Sequence, residues 1–243
     1  MSFFGDLFGN IAGSLARTAI TGYVLNRLNR TVNNPTTQQQ PDPGVRVTSN
    51  ADTEKKIPVV YGNAVVGGIL TDAYLTSDNK TMYFCLALSE QTGNLDLGQG
   101  DPSQFSVKGV YWNDNKLIFN DDGITVQYTE DRDGNTDETV NGLIKVWCFA
   151  GNSESPVVPQ GYTNTSLVPA YSIMPNWDIS WYMSDLVFAI IRMDYSSGSK
   201  ITSFGNWKFR LQNTMYKPGD VLFDYATNGQ YGAGLPPTEI YAS

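Results

Sequence analysis

Hydrophobic residues follow two different patterns along the chain. From residue 45 to residue 195 they alternate with polar residues or form short runs that end at Gly, Asn, Asp or Pro, which is typical of β-strands. Between residues 3 and 30 they recur with the period of an amphipathic helix. The sequence therefore predicts a mainly β fold preceded by an N-terminal amphipathic helix.

The N-terminal helix has one apolar side, and its glycines repeat at every fourth position. Gly5, Gly9 and Gly13 each cost an isolated soluble helix about 1 kcal/mol relative to alanine, so their repetition indicates close approach to another surface. We favour docking of this helix on another subunit; a membrane-active segment and packing on its own domain are the alternatives. The expected interface residues are Phe4, Phe8, Ile11 and Leu15.

Composition divides the chain into three parts. Residues 1–32 form the docking helix, and residues 33–44 form a flexible linker of Asn, Pro, Thr, Gln and Asp that cannot bury enough apolar surface to fold alone. Residues 45–243 form the β-rich body. We expect no signal peptide, because Asp6 and Asn10 interrupt the first apolar run, and no transmembrane helix, because no stretch has about 18 consecutive apolar residues.

Turn residues divide the body into strands. Residues 187–193 form the most continuous apolar run and predict a central strand, while Asn113-Asp114-Asn115 predicts a hairpin turn. Residues 151–183 predict a long ordered excursion with a turn of helix at 178–183. Strands are predicted at residues 57–61, 64–70 (interrupted by Gly67-Gly68, a bulge or a close backbone contact), 81–88, 105–112, 116–119, 124–129, 142–150, 187–193 and 200–211.

A short helix is predicted near the C-terminus, within residues 217–235. Pro218 suits a first helical turn, because its missing N–H has no helical partner there. Val221, Leu222 and Tyr225 recur at helical spacing on one face. Asn228-Gly229 supplies residues that tolerate the left-handed conformation that often ends a helix. The glycines and prolines that follow stop any continuation.

Composition excludes several function classes. The formal net charge is −8, with 24 acidic and 16 basic residues, so nucleic-acid binding is not expected. The absence of histidine removes Ser-His and Cys-His nucleophile pairs and most zinc sites. Cys85 and Cys148 lie in apolar runs and predict buried thiols, which would pair only if their strands were neighbours in an oxidising compartment.

Two clusters are candidates for binding chemistry. Asp131, Asp133 and Asn135 resemble the start of a calcium loop, but the positions usually held by glycine and by a bidentate glutamate carry other residues, so we favour a solvated hairpin tip. Trp177, Trp181 and Tyr182 could stack on sugars or simply pack. The chain has no nucleophile elbow and no phosphate-cradling loop, so we expect neither enzymatic activity nor a cofactor.

Several segments, in the right order, resemble the hub and tip-attachment proteins of tailed bacteriophages. The opening segment is Lys-Ile-Pro-Val-Val-Tyr-Gly at 56–62, and the closing one combines an apolar strand at 186–194 with a helix and an Asn-x-x-Tyr-Gly turn at 218–232. The resemblance covers residues 45–240. Its other segments are Val66-Gly67-Gly68, the strand at 82–90, the hairpin at 107–119 and the acidic tip at 131–135.

The resemblance implies a virion protein whose body is a β-sandwich or barrel related to the tail-tube fold. It implies a subunit of the tail tip or baseplate, assembled in the host cytoplasm into a ring or hub with other tail proteins, as a trimer or hexamer. Members are usually much longer, so we expect a short hub or an accessory subunit. Tyr231 and Leu235 are then expected at a subunit interface. The alternative is a carbohydrate-binding or hydrolytic β-module at the tail tip.

Overall fold

Two antiparallel sheets form most of the chain that the computed structural model describes, which is residues 56–93, 104–151, 153–154, 156–163, 168–181, 183–196, 201 and 203–240. The strands are β1 Asn63–Val66, β2 Ile69–Leu75, β3 Thr81–Glu90, β4 Phe105–Trp112, β5 Asn115–Phe119, β6 Val126–Glu130, β7 Thr136–Asp137, β8 Ile144–Ala150, β9 Pro156–Val157, β10 Leu186–Asp194 and β11 Trp207–Asn213. The helices are α1 Ala170–Ile173, α2 Pro218–Thr227 and α3 Pro237–Ile240.

The two sheets pack as a sandwich. One has the strand order β1-β11-β4-β5-β6-β7 and the other has the order β2-β3-β10-β8-β9. Side chains from both sheets, such as Val110 and Phe209 from the first and Leu86 and Ile191 from the second, form one buried cluster. Fully burying a side chain of this kind contributes about 1.5–3 kcal/mol. The mainly β prediction is confirmed, and the arrangement is a sandwich.

Strand β10 is central because it is buried on both faces. Its register places it between β3 and β8, and Ala189 and Ile191 face the other sheet. On the opposite face, Phe188 and Ile190 pack under the excursion that contains α1. The Phe188 ring stacks on Phe149 with 4.7 Å between ring centroids. This double burial explains the continuous apolar run, and it confirms the predicted central strand.

The two cysteines are buried thiols on opposite faces of the same sheet. Cys85 on β3 lies opposite Ile190, and Cys148 on β8 lies opposite Ala189, so β10 separates them. Burial raises the pKa of both thiols to about 12. The prediction of buried free thiols is confirmed. The two sulfurs are kept apart because the cysteines pair with neighbouring residues of β10, and neighbouring strand residues point to opposite faces.

The first two predicted strands are partly wrong. Residues 57–61 form only an isolated bridge, from Val59 to Glu90, and residues 64–70 divide between β1 and β2, which belong to different sheets. Gly67 and Gly68 carry the chain from one sheet to the other. A Cβ on Gly68 would lie 2.6 Å from the Leu86 Cβ. Gly68 therefore makes a close contact, one of the two roles predicted for the glycine pair, whereas a Cβ on Gly67 would lie an ordinary 3.6 Å from the Trp207 carbonyl oxygen.

The hairpin prediction at residues 113–115 is confirmed in a tighter form. Asn113 and Asp114 have φ values of 51° and 66° and make a two-residue turn between β4 and β5. The predicted strands at 124–129 and 142–150, which flank the acidic tip, do not pair with each other. Strand β6 pairs with the short β7, whereas β8 belongs to the other sheet and meets this region through a bridge from Lys145 to Thr125.

The excursion between β8 and β10 has its helical turn at α1 rather than at residues 178–183. Ile179 and Ser180 form an ordinary turn, because the Asp178 carboxylate accepts hydrogen bonds from the Ser180 N–H and hydroxyl. A short acceptor side chain of this kind competes with helix formation. Within the described residues, no helix has the length and apolar character needed to span a membrane.

Candidate subunit interface at the C-terminal helix

Helix α2 begins where the sequence predicts and ends by a different mechanism. Pro218 occupies the first turn, and Asp220 places a negative charge near the positive end of the helix dipole. The helix ends at Thr227. Asn228 is extended, with φ −68° and ψ 122°, so the predicted left-handed stop at Asn228-Gly229 is wrong. The Asn228 side chain instead accepts hydrogen bonds from the N–H groups of Gln230 and Tyr231.

The burial of α2 is inverted relative to an ordinary surface helix. Its buried residues are polar: Asp224 is 1% exposed, and Thr227 is also buried. Leu222 is 70% exposed and Tyr225 is 51% exposed. Two of the three residues that the sequence marks as an apolar face, Leu222 and Tyr225, therefore point to solvent, and the third, Val221, is half-buried. An amphipathic helix usually turns such a face to the core. The helix attaches to the body through polar contacts and presents apolar side chains outward.

Asp224 is the principal attachment point. Its Oδ2 atom accepts hydrogen bonds from the hydroxyls of Tyr61 at 2.6 Å and Tyr231 at 2.7 Å. Its Oδ1 atom accepts a third from the Gly93 N–H at 3.1 Å. Hydrogen bonds to a charged group contribute about 1.5–3 kcal/mol each. One buried carboxylate thus joins α2 to the segment before β1, to the segment after β3 and to its own following turn.

Both tyrosines remain donors to this carboxylate. Burial raises the pKa of Tyr61, and the hydrogen bond and charge of Asp224 raise it further. The same causes raise the pKa of Tyr231. Ionising either hydroxyl would place a second negative charge against Asp224. Both hydroxyls therefore stay protonated at physiological pH.

A second contact joins the turn after α2 to the end of β3. The Gln230 side-chain amide donates a hydrogen bond of 2.9 Å to Oε2 of Glu90. Glu90 is only 5% exposed. Burial, and then the nearby charge of Asp185, raises the pKa of this carboxyl to about 7. Glu90 is thus the one residue in this contact that titrates near neutral pH.

Beneath the turn, buried Asn213 fixes the strand segments that carry these groups. Its side-chain nitrogen donates to the Val60 carbonyl and to the Thr92 hydroxyl, each at 2.6 Å. Its side-chain oxygen accepts from the Met215 N–H at 2.9 Å. Tyr61 and Gly93, both partners of Asp224, are therefore each next to a residue that Asn213 holds in place.

The turn after α2 folds back on the end of the helix. The Ala233 N–H donates to the Tyr225 carbonyl, and the Leu235 N–H donates to the Ala226 carbonyl. These bonds satisfy helix-end carbonyls that have no helical partner. A Cβ on Gly232 would lie 1.9 Å from the Tyr225 carbonyl oxygen, so this position accepts only glycine. Leu235 is thereby held against the last turn of α2.

The exposed apolar residues of this region form what we call the α2 surface: Tyr216, Leu222, Tyr225 and Leu235. Of the two interface residues predicted here, Leu235 is exposed, and Tyr231 is half-buried with its hydroxyl turned inward to Asp224. Contact of either residue with another subunit stays a prediction. Helical spacing in the sequence places Leu222 and Tyr225 on one face, but it does not predict their exposure.

The chain is similar to chains of solved structures. No protein-family model matches the chain, and no curated protein matches it. A chain in the virion of the native gene transfer agent (GTA) particle is similar in structure, with a TM-score of 0.31 and 13% sequence identity. The match covers 87% of this chain and 38% of that chain, so this chain spans well under half of that chain's length.

The other predicted interface residues lie outside the described part of the chain. Phe4, Phe8, Ile11 and Leu15 belong to this group, as do the predicted docking helix and the linker at 33–44. Docking of the N-terminal helix on another subunit therefore stays a prediction.

The acidic tip folds as a self-bonded hairpin turn. Oδ1 of Asp131 accepts hydrogen bonds from the N–H groups of Asp133 and Asn135, and Oδ2 accepts from the Asn135 side chain. These bonds lower the pKa of Asp131, the side-chain bond from Asn135 most strongly. Among the described residues, no group of three or more His, Cys, Asp or Glu side chains is placed to hold a metal ion. The interpretation as a hairpin tip is confirmed.

The tryptophans of the excursion are integrated into the fold. The Trp177 indole N–H donates to the Asp72 carboxylate at 2.8 Å, and its ring packs against Phe188. Trp181 meets Trp177 in an edge-on contact with 6.1 Å between centroids. Tyr182 lies outside the described residues. These contacts give Trp177 a packing role, and sugar binding by the cluster stays a prediction.

Proposed function

We propose that the protein is a structural subunit of a tailed-phage type of virion, located at the tail tip or baseplate, and that it binds neighbouring subunits through the α2 surface. The observation that carries this proposal is the inverted burial of α2. A helix that turns Asp224 inward and leaves Leu222 and Tyr225 in water leaves apolar area uncovered. Aromatic and aliphatic side chains of this kind supply much of the binding energy at protein interfaces.

The placement in a tail rests on the motifs that resemble hub proteins. Tyr61 comes from the opening motif, Glu90 from the strand at 82–90, and Asp224 and Tyr231 from the closing motif. These residues, distant in sequence, form the contacts that attach α2 to the body. The resembling segments thus supply the contacts that hold α2 against the body, which supports a shared structural role.

The finer form of the proposal is a ring or hub of several copies, a trimer or hexamer, around the tail axis. The predicted N-terminal helix would dock on another subunit through its face of Phe4, Phe8, Ile11 and Leu15. The proposed role is structural and includes no catalytic step and no cofactor. The particle itself is the proposed location.

A substitution on the α2 surface tests the proposed binding. Changing Leu222 and Tyr225 together to serine should leave the melting temperature nearly unchanged, because both side chains are exposed. Incorporation into particles should fall sharply. Losing about 2 kcal/mol at an interface anchor lowers affinity about thirtyfold. The measurement is the amount of the variant in purified particles, by quantitative mass spectrometry.

Ile179→Ser is the matched control. Ile179 is 64% exposed and lies in the excursion, away from α2 in sequence, so its replacement removes a similar exposed apolar side chain. It should enter particles like the unmodified protein. Equal incorporation of the control and the Leu222/Tyr225 variant would reject the α2 surface as the site of assembly.

A further inference from the structure

Three carboxylates lie around the turn that holds α2 to the body. Glu90 ends β3, Asp185 directly precedes β10 beside it, and Asp224 projects inward from α2. The Gln91 N–H donates to the Asp185 backbone carbonyl at 2.7 Å, which keeps Asp185 next to the end of β3. Within the described residues, no lysine or arginine forms an ion pair with any of these three carboxylates.

Glu90 is almost as buried as Asp224, whereas Asp185 is exposed. The Glu90 carboxyl accepts fewer hydrogen bonds than the Asp224 carboxyl. Asp224 receives hydrogen bonds from two hydroxyls and one N–H, which together stabilise its negative charge. The Glu90 carboxyl has one described donor, the side-chain amide of Gln230. The contacts of Glu90 with Pro58 and Val59 are made by its backbone, so they do not stabilise a charge on the carboxyl. A charge on Glu90 is therefore poorly compensated in the closed structure.

We propose that Glu90 is the trigger of a pH-sensitive latch: its neutral carboxyl holds residues 228–231 against the end of β3, and ionisation releases them. In the neutral form, the carboxyl accepts the Gln230 bond without placing a charge beside Asp185. In the ionised form, lifting the turn lets water reach the carboxylate. Release would loosen α2 as well, because Tyr231 joins the same turn to Asp224.

The direction of the pH dependence follows from the raised pKa. The carboxyl has a pKa of about 7 in the folded protein, against an ordinary value of 4.5. The folded state therefore binds more protons than the open state between these values, and closure is favoured at the acidic end. The stability of the closed turn is fully present below about pH 4.5 and is lost as the pH rises through about 7.

Amide hydrogen exchange of the full chain tests the latch directly and needs no partner. The reporter is the Gly93 N–H, which donates to Asp224 and so joins α2 to the segment after β3. Its protection factor, corrected for the intrinsic pH dependence of exchange, should fall about tenfold between about pH 5.5 and about pH 7.5. The N–H of Ile190 in central β10 is an internal reference and should not change.

Two variants keep the test decisive. Glu90→Gln imitates the neutral carboxyl and should remove the pH dependence while keeping the Gly93 N–H protected. Asp185→Asn removes the neighbouring charge and should reduce the pH-dependent fall in protection without abolishing it. This variant provides the test if Glu90→Gln does not fold. Constant protection in the unmodified protein, or an unchanged pH dependence in Glu90→Gln, would overturn the proposal.

The consequence of the latch for assembly rests on the proposed function. The two proposals fail separately, since exchange reports the latch in the isolated protein and particle incorporation reports the interface. A latch that works in a protein absent from particles would reject only the virion role.

Discussion

Replacing Gly232 with alanine should destabilise the turn after α2 by about 3 kcal/mol, because the new methyl group has no space. Its Cβ would lie 1.9 Å from the Tyr225 carbonyl oxygen and 2.8 Å from the Asn228 carbonyl oxygen. Both are backbone atoms, so no side-chain rotation relieves the clash. The turn must move away from the helix, which breaks the bonds from the Ala233 and Leu235 N–H groups.

Gly229→Ala is the control within the same turn. No atom lies within 4 Å of a Cβ built on Gly229, and its φ is not in the left-handed region. Alanine there should be neutral or stabilise by about 0.4–1 kcal/mol, because it restricts the unfolded chain. Urea unfolding and exchange of the turn amides measure both variants. Equal stability of the two alanine variants would show that the turn is not packed on the helix as described.

Replacing Asp224 with alanine should cost about 4 kcal/mol and detach α2 from the body. The change removes the acceptor of three hydrogen bonds and leaves the Tyr61 and Tyr231 hydroxyls and the Gly93 N–H without that partner. Because Asp224 joins α2 to the segments before β1 and after β3, the loss should appear as faster exchange of the whole helix. Thermal unfolding and exchange of residues 218–227 are the measurements.

Asp220→Ala removes an acidic residue from the same helix and is the control for Asp224→Ala. Asp220 is exposed in the first turn, so its loss should cost only about 0.3–1 kcal/mol through the helix dipole. A double-mutant cycle of Asp224→Ala with Tyr61→Phe and Tyr231→Phe would separate the two hydroxyl contributions. Equal costs for the Asp224 and Asp220 variants would contradict the assignment of Asp224 as the attachment point.

The elements that sequence predicts well are those whose pattern is local. The run at 187–193 is interrupted only by Arg192 because both faces of β10 are buried, and this pattern identifies a central strand. Asn113 and Asp114 define the β4–β5 hairpin because both tolerate the positive φ that its turn requires. In each case the residues that determine the structure are neighbours in the chain.

The candidate site was less predictable because its contacts join distant parts of the chain. Tyr61 and Asp224 are separated by 163 residues, and Gln230 and Glu90 by 140. Helical spacing locates Leu222 and Tyr225 on one face, but it does not tell which side of the helix meets the body. That choice depends on Tyr61 and Gly93, which offer hydrogen-bond donors and so select the polar face of α2.

The predicted strands whose sheet differs from expectation have a similar explanation. Residues 64–70 are one apolar stretch in sequence, yet Gly67 and Gly68 allow the chain to leave one sheet and enter the other. Residues 142–150 follow the acidic tip in sequence, but β8 pairs with β10 and not with β6, the strand before the tip. Alternation identifies a strand and its two faces, whereas long-range pairing decides its sheet.

The most direct test of the central claim is the number of copies of this protein in one purified particle. Quantitative mass spectrometry against labelled peptides, with gold labelling in electron micrographs to find the end of the tail, provides both number and position. A structural tail subunit should be present in a fixed small number, a multiple of three, at the tail tip or baseplate. Absence of the protein from intact particles, or a number that varies between preparations, would contradict the proposed function.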